Sequence, residues 1–316
     1  MESRIGSIKC SLYYLIYTTP KYKKFKGAKP PKRYTGPPKQ QNQGVSNEEL
    51  QVFHILRLEL PTTQMIRGDR IVLNGKEIDA YLPEYKLGVE FDGLYWHNAS
   101  QGKNSNYHLH KTLTAEQQGI RLIHIWSNEW ENNRPIVVDI LKKAIGKTPK
   151  IEADQCSFTR LGDTEARNFM DKCHILGADK EAERHFGLIY NGEIVMAMSL
   201  KKDTNWWNIT RVTDRRGIKV LGGFKKMISE IRKLTSETIV GIADRRYLEA
   251  YYYKEIDCIE IGATNPKRWF TKDYQTVLTE NQFSELKKLV ESKKKKLNEE
   301  EWQTIWDCGE RRFRIK

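Results

Sequence analysis

The run KEIDAYL at residues 76–82 alternates strictly, so that in an extended chain Glu77, Asp79 and Tyr81 share one face and Ile78, Ala80 and Leu82 the other. KLGVEFD repeats the alternation, with Leu87, Val89 and Phe91 on the apolar face and Glu90 and Asp92 opposite. Pro83-Glu84-Tyr85-Lys86 provides a tight connection, and the pattern predicts a β-hairpin in which Asp79 stands opposite Glu90 and Glu77 opposite Asp92. Like charges across a ladder repel. Such a face is either solvated or holds a cation, and hard carboxylate oxygens suit Mg²⁺ or Mn²⁺. Gly93 ends the second strand, and Leu94-Tyr95-Trp96 lead to His97, whose neutral imidazole is suited to general-base work beside a metal-bound phosphate.

Flanking patterns extend this unit. A helix begins at Ser46 and runs through LQVFHILRLEL; Ser46 with Glu49 three residues later also fits a capping box. A helix over 106–118, carrying Tyr107, His108, His110 and Lys111, crosses to RLIHIW, a mostly apolar strand after Gly119. Strand, helix, strand in that order predicts an α/β core. Beyond residue 150 the texture changes. FGLIY and EIVMAMSL flank Asn191-Gly192, a strong hairpin signal. WNITRV, the loop DRRGIKVLGG, a helix FKKMISEIRKL, a strand TIVGIA and a short helix at 248–253 follow, a mixed order that predicts an α+β domain. The last segment opens as an amphipathic helix and ends in the basic tail RRFRIK.

Composition then bounds the partners. At 316 residues the chain exceeds one such core, and two domains are expected. A net charge of +13 favours a polyanion, and double-stranded DNA fits better than a membrane. No apolar run approaches the ~18 residues of a membrane span, and a cytoplasmic protein is expected. Cys10, Cys156, Cys173, Cys258 and Cys308 are scattered, without a CxxC pair, which points to reduced thiols. Residues 1–45 form a Lys- and Pro-rich stretch, expected to be flexible, in which Lys23, Lys24, Lys32 and Arg33 can release DNA counterions. Tyr22, Phe25 and Tyr34 interleave with those cations and could stack on bases; a solubilising linker is the alternative.

PEYKLGVEFDGLYWH, the His/Lys-bearing helix and QQGIRLIHIWSNEW together resemble the PD-(D/E)XK nuclease superfamily over residues 46–130, in its branch of very-short-patch repair and phage homing endonucleases. The resemblance implies a nuclease core of mixed sheet flanked by helices over 46–148. It also implies a metal held by Asp79, Glu90 and the Phe91 carbonyl, with His97 as general base and Glu49 completing the site. Asp92 departs from the lysine usual in the superfamily, leaving open a second metal or water positioning; Lys111 could approach the scissile phosphate. Tyr95 and Trp96 could wedge between base pairs or pack in the core.

Within 149–316, VLGGFKKMI and YYYKEIDCIEIG resemble an acyltransferase-like domain of the GNAT type over 156–275, where Gly222, Gly223 and the following helix would cradle a pyrophosphate. Lys225 and Lys226 serve DNA phosphates equally well, and Arg245, Arg246, Lys267 and Arg268 are further phosphate contacts or else surface ion pairs. The expectation is an Mg²⁺-dependent phage or mobile-element homing endonuclease, a homodimer if it breaks both strands at once. The alternatives are a mismatch-directed nickase, a non-catalytic DNA-binding protein and a DNA-tethered acyltransferase.

Overall fold

The computed structural model describes residues 46–316 apart from 248, 249 and 295; the basic stretch 1–45, with Lys23, Lys24, Lys32, Arg33 and Cys10, lies outside them. Asn47–Lys316 form one compact unit of mixed α/β structure. It opens with α1 (Asn47–Glu59), which buries Val52, Ile55 and Leu56. Strands β1 (Ile66–Leu73), β2 (Lys76–Leu82) and β3 (Leu87–Asp92) follow. Then come α2 (Tyr107–Gln117), β4 (Arg121–Trp126) and α3 (Ser127–Ala144), which is interrupted at Asn133 ahead of Pro135. The four strands form a sheet in sequence order, β1 to β3 antiparallel and β3 parallel to β4.

The hairpin register pairs Ala80 with Val89 and Leu82 with Leu87, and its continuation brings Asp79 level with Glu90. Alternation alone leaves open whether the acidic face is solvated. All six residues of β3 are buried, so both of its faces are covered.

The second part carries short β5 (Lys150–Glu152), then β6 (Ser157–Arg160), α4 (Asp163–Cys173), β7 (Arg184–Tyr190), β8 (Glu193–Lys202) and β9 (Trp206–Asp214). After β10 (Lys219–Leu221) come α5 (Gly223–Leu234), β11 (Thr238–Asp244), α6 (Ala250–Tyr253) and β12 (Cys258–Ala263). A three-stranded sheet of β13 (Arg268–Thr271), β14 (Leu278–Thr279) and β15 (Gln303–Trp306), with α7 (Glu280–Ser292), precedes the last strand, β16 (Glu310–Ile315). The large sheet runs β12-β16-β11-β9-β8-β7-β6, antiparallel throughout except where β11 lies parallel to β9. RRFRIK is therefore not a tail. It forms most of β16, an interior strand paired on both sides, with Phe313 and Ile315 in the core. Arg312 and Arg314 lie on the opposite face, half-buried and exposed, and Arg311, at the end of the apolar face, is ion-paired with Glu260.

Asn191 and Gly192 both take positive φ, 50° and 78°, which the right-handed strand twist of a two-residue hairpin requires. Gly192→Ala should lower stability by about 1 kcal/mol through that dihedral alone, since a Cβ there meets nothing within 4 Å. Thermal denaturation beside the parent reads it; an unchanged or higher midpoint would show that the turn tolerates a side chain.

The two sheets are joined by specific bonds. The His124 amide donates to the Arg246 carbonyl at 2.9 Å and the Gly217 amide to Asp139 Oδ1 at 2.7 Å. Thr112 Oγ1 lies 3.3 Å from the Cys308 thiol, and Ile305 packs with Leu94 and Trp126. Among the described residues Cys156, Cys173, Cys258 and Cys308 are unbridged, and no helix is long and apolar enough to cross a membrane.

Candidate functional site

β2, β3, α2 and β4 converge on a buried polar cluster. Asp79 on β2 accepts the Phe91 amide at 2.7 Å, which clamps the hairpin at the level of Glu90; burial pushes its carboxyl above the usual range. Glu49 on α1 is close enough to Asp79 for the two charges to oppose each other, and burial with that repulsion raises its pKa, while Arg67 reaches it at 3.6 Å. Glu90 is ion-paired to Lys111, which α2 delivers into the interior. Burial, with Asp79 as the next cause, holds Glu90 well above the ordinary carboxylate range. The Phe91 carbonyl accepts the Gly93 amide at 3.2 Å.

Asp92 is surrounded by imidazoles. Its Oδ2 faces His124 Nδ1 at 2.8 Å, and its Oδ1 faces His97 Nδ1 at 3.1 Å and His108 Nδ1 at 3.6 Å. Burial alone would raise this carboxyl, yet His108, His124 and His97 together hold it well below its usual value. His108 is itself driven down to about 3 by burial, so its ring is neutral at physiological pH. Thr112 Oγ1 lies 2.9 Å from His124 Nε2, which fixes that ring from behind. Among the described residues, the donors close enough to share a metal are those of Asp92, His97 and His108, all within 4.8 Å of one another.

Asp79, Glu90, Asp92, His97 and Lys111 are thus brought together, with Glu49 at the margin. His108 and His124 escape sequence reasoning. His108 sits three positions before Lys111 on the same helix, and His124 pairs in register with Glu90; the first offset was a readable signal, the second needed the parallel pairing of β3 and β4.

Other expected contacts fall elsewhere. Arg246 is fully buried, bonded to Glu129 at 2.9 Å and to Asp244 at 3.1 Å, and cannot meet DNA. Lys226 donates to the carbonyls of Ala153 and Cys156, at 2.9 and 2.6 Å. Lys267 pairs with Glu310 and Arg268 with Glu280, while Lys225 is exposed. Arg245, half-buried, anchors its amide on the Gly309 carbonyl. Trp96 is 59% exposed, edge-on to Tyr95, which in turn meets Tyr274.

A second site lies between the sheets. Pairing between the parallel strands β9 and β11 joins 206–209 to 238–241 and stops there. At the carboxyl ends of those strands opens a cavity of about 320 Å³. Its lining includes Val212, Thr213, Lys219, Leu221, Tyr251 and Lys143. The buried Asp214 carboxylate accepts Tyr252 Oη at 3.2 Å and pairs with Lys219 at 3.5 Å. Gly222 takes positive φ at the start of α5, and a Cβ on Gly223 would come within 2.7 Å of the Met196 sulfur, so close helix packing already requires the second glycine.

No protein-family profile matches the chain, and no curated protein matches it in sequence. Solved structures similar to it include the ribosomal-protein-S18-alanine N-acetyltransferase of Escherichia coli, 13% identical with a TM-score of 0.29, covering 34% of this chain and 80% of that one. A Bacillus anthracis str. Ames protein described as a streptothricin acetyltransferase, solved with acetyl coenzyme A, is 11% identical with a TM-score of 0.29, covering 52% of this chain and 98% of that one. Both are described as acetyltransferases and neither as a PD-(D/E)XK nuclease. The resemblance to that superfamily is corrected accordingly. With it go the phage homing endonuclease, the Mg²⁺-dependent hydrolase and Mg²⁺ or Mn²⁺ as cofactor. In the interior, one Glu90 oxygen is paired with Lys111 while the other is buried without a hydrogen-bond partner, the Phe91 carbonyl accepts from Gly93, and Asp92 faces imidazoles. At a TM-score of 0.29 these likenesses say nothing further about this chain, whose chemistry has to be read from its own geometry.

Proposed function

We propose that residues 149–316 form a GNAT-like domain that binds an acyl-coenzyme A and transfers its acyl group to an amine, in a protein that also engages double-stranded DNA. The observation that carries the reading is the interrupted pairing of β9 and β11. Beyond Ile209 and Gly241 the parallel ladder ends, and residues 210–214 present to the gap an edge that a neighbouring strand would otherwise pair. Crevices outside the carboxyl ends of parallel strands are where open α/β sheets take ligands. Here that crevice has apolar and aromatic walls from Val212, Leu221 and Tyr251, with cations at Lys143, Lys150 and Lys219. Such a lining suits an elongated ligand with an apolar arm and phosphates.

An amide-like arm laid in the gap would exchange backbone hydrogen bonds with β9 near Val212, because the Thr210 carbonyl already accepts from Arg211 and the Asp214 carbonyl from Lys143 and Thr213. Acyl transfer from a thioester requires its carbonyl to be oriented and the attacking amine to lose a proton. Of the nearby hydroxyls, Tyr247 is bonded to the Glu129 carboxylate and held well above its usual pKa by burial and that charge, so it keeps its proton. Tyr252, whose hydroxyl donates to Asp214 and which lines the cavity, would return a proton to a departing thiolate.

Acetyl-CoA should raise the melting temperature of the full chain; at 100 times the dissociation constant the stabilisation is about 2.7 kcal/mol. Leu221→Trp, which adds bulk to the cavity lining, should weaken binding at least tenfold while leaving the ligand-free melting temperature nearly unchanged. No shift with acetyl-CoA or coenzyme A at millimolar concentration would sink the reading. DNA engagement rests on the net charge of +13, and is checked by fluorescence anisotropy with a duplex across a salt series. Affinity that does not fall with salt would exclude phosphate contacts as its source.

A further inference from the structure

We propose that Asp92, His97 and His108 form a binding site for a zinc-class divalent cation, independent of the acyl-coenzyme A reading. Three observations converge. The first is donor geometry. Zn²⁺ binds imidazole nitrogen and carboxylate oxygen at about 2.0–2.2 Å in a tetrahedron, whose ligand-to-ligand edges are then about 3.3–3.6 Å. Asp92 Oδ1 lies 3.1 Å from His97 Nδ1 and 3.6 Å from His108 Nδ1, bracketing that edge.

The second is unspent bonding capacity. His108 is 2% exposed, yet neither of its ring nitrogens has a hydrogen-bond partner, and the Nδ1 of His97 is buried and unpartnered despite its closeness to Asp92. Burying an imidazole without a partner costs free energy that a coordinated ion would offset. These nitrogens are aimed at a carboxylate oxygen from which they gain no well-formed hydrogen bond, as expected of donors arranged around a common guest.

The third is support from behind. His124 Nδ1 holds the other Asp92 oxygen at 2.8 Å, and Thr112 holds the far side of the His124 ring at 2.9 Å. An outer shell of this kind orients a ligating carboxylate and leaves its first oxygen free.

The donor set selects the ion. Two imidazoles and one carboxylate suit Zn²⁺, and Co²⁺ as its spectroscopic substitute, over Mg²⁺, which takes oxygen donors in octahedral array. Three protein donors leave a fourth position, next to the half-buried opening at His97, for a solvent or ligand atom. Binding would tie the end of β3 to α2, two elements otherwise joined here by the Lys111–Glu90 pair.

The test uses the full chain, stripped with chelator and dialysed. Zn²⁺ should bind at one equivalent by calorimetry and raise the melting temperature, and Co²⁺ should give the intense visible absorption of a tetrahedral site. His97→Ala and His108→Ala should each weaken binding by about 100-fold or more, and His124→Ala, which only positions Asp92, by about 10–100-fold. His110→Ala, exposed on the same helix, should bind as the parent does. Near-UV circular dichroism of each metal-free variant guards against unfolding, and His97→Ala, the less buried change, carries the conclusion if His108→Ala fails to fold. Absence of stoichiometric Zn²⁺ or Co²⁺ binding, an octahedral cobalt spectrum, or binding undiminished in folded His97→Ala would overturn the assignment.

Discussion

Arg246→Met should destabilise the protein by about 3–5 kcal/mol, the cost of stranding buried carboxylates without their counter-ion. Arg246 is fully buried and spans the two sheets, meeting Glu129 at the start of α3 at 2.9 Å and Asp244 at the end of β11 at 3.1 Å. Its guanidinium also lies 4.1 Å from the centroid of the Trp126 ring. Burial works against the charge, yet Asp244 and Glu129 hold the guanidinium well above its ordinary pKa. Methionine keeps most of the volume, so the loss reads charge more than packing. Urea denaturation of the variant gives the magnitude, and adding Glu129→Gln and Asp244→Asn should recover part of it by removing the orphaned charges. A loss below about 1 kcal/mol in Arg246→Met would mean that water reaches the site and this junction is not what holds the two sheets together.

The second large effect is at Lys111, and it depends on pH. With chelator present, Lys111→Met should destabilise the protein at pH 7 and do so progressively less as the pH is lowered to 5. The effect originates at Glu90, whose folded pKa lies well above 4.5 because of burial and then Asp79. A raised carboxyl pKa means that the folded state binds more protons, so its contribution to stability is complete below 4.5 and is lost as pH rises through the folded value. Removing the Lys111 ammonium raises that value further and widens the window upward. Glu90 can always escape by taking a proton, which limits the penalty relative to the parent to about 1.4 kcal/mol for each pH unit above the parent's own folded value. Asp92 and the histidines are common to parent and variant and cancel in the difference. Parallel denaturation curves at pH 5, 6 and 7 test this; a penalty that stays constant across them would show that Glu90 does not change protonation.

Much of the local architecture was readable residue by residue. Alternation in KEIDAYL and KLGVEFD implies the hairpin β2–β3 and its register, and Asn191-Gly192 implies the turn between β7 and β8. The helix over 106–118 and the strand RLIHIW appear as α2 and β4, in parallel pairing with β3. These succeed because periodicity and turn chemistry are properties of a few consecutive residues. The functional expectation did not follow from them. A motif of spaced carboxylates and a histidine states which groups are near one another in sequence, but not which of them are already bonded. Lys111 and the imidazoles of His108 and His124 come from α2 and β4, and they convert an apparent magnesium site into one where Glu90 is ion-paired and Asp92 faces nitrogen donors.

Sequence alone therefore settles the hairpins β2–β3 and β7–β8, the helix and strand of α2 and β4, and the excess of positive charge, since each depends on composition or short-range pattern. The fate of individual charges needed the packed chain. RRFRIK reads as a basic tail until β11 and β12 close on it from both sides, and Arg246 reads as a surface cation until α3 brings Glu129 against it. Both outcomes turn on long-range pairing: a charge becomes interior only when elements far apart in the chain remove its water and supply a partner, and no local pattern encodes which elements those will be.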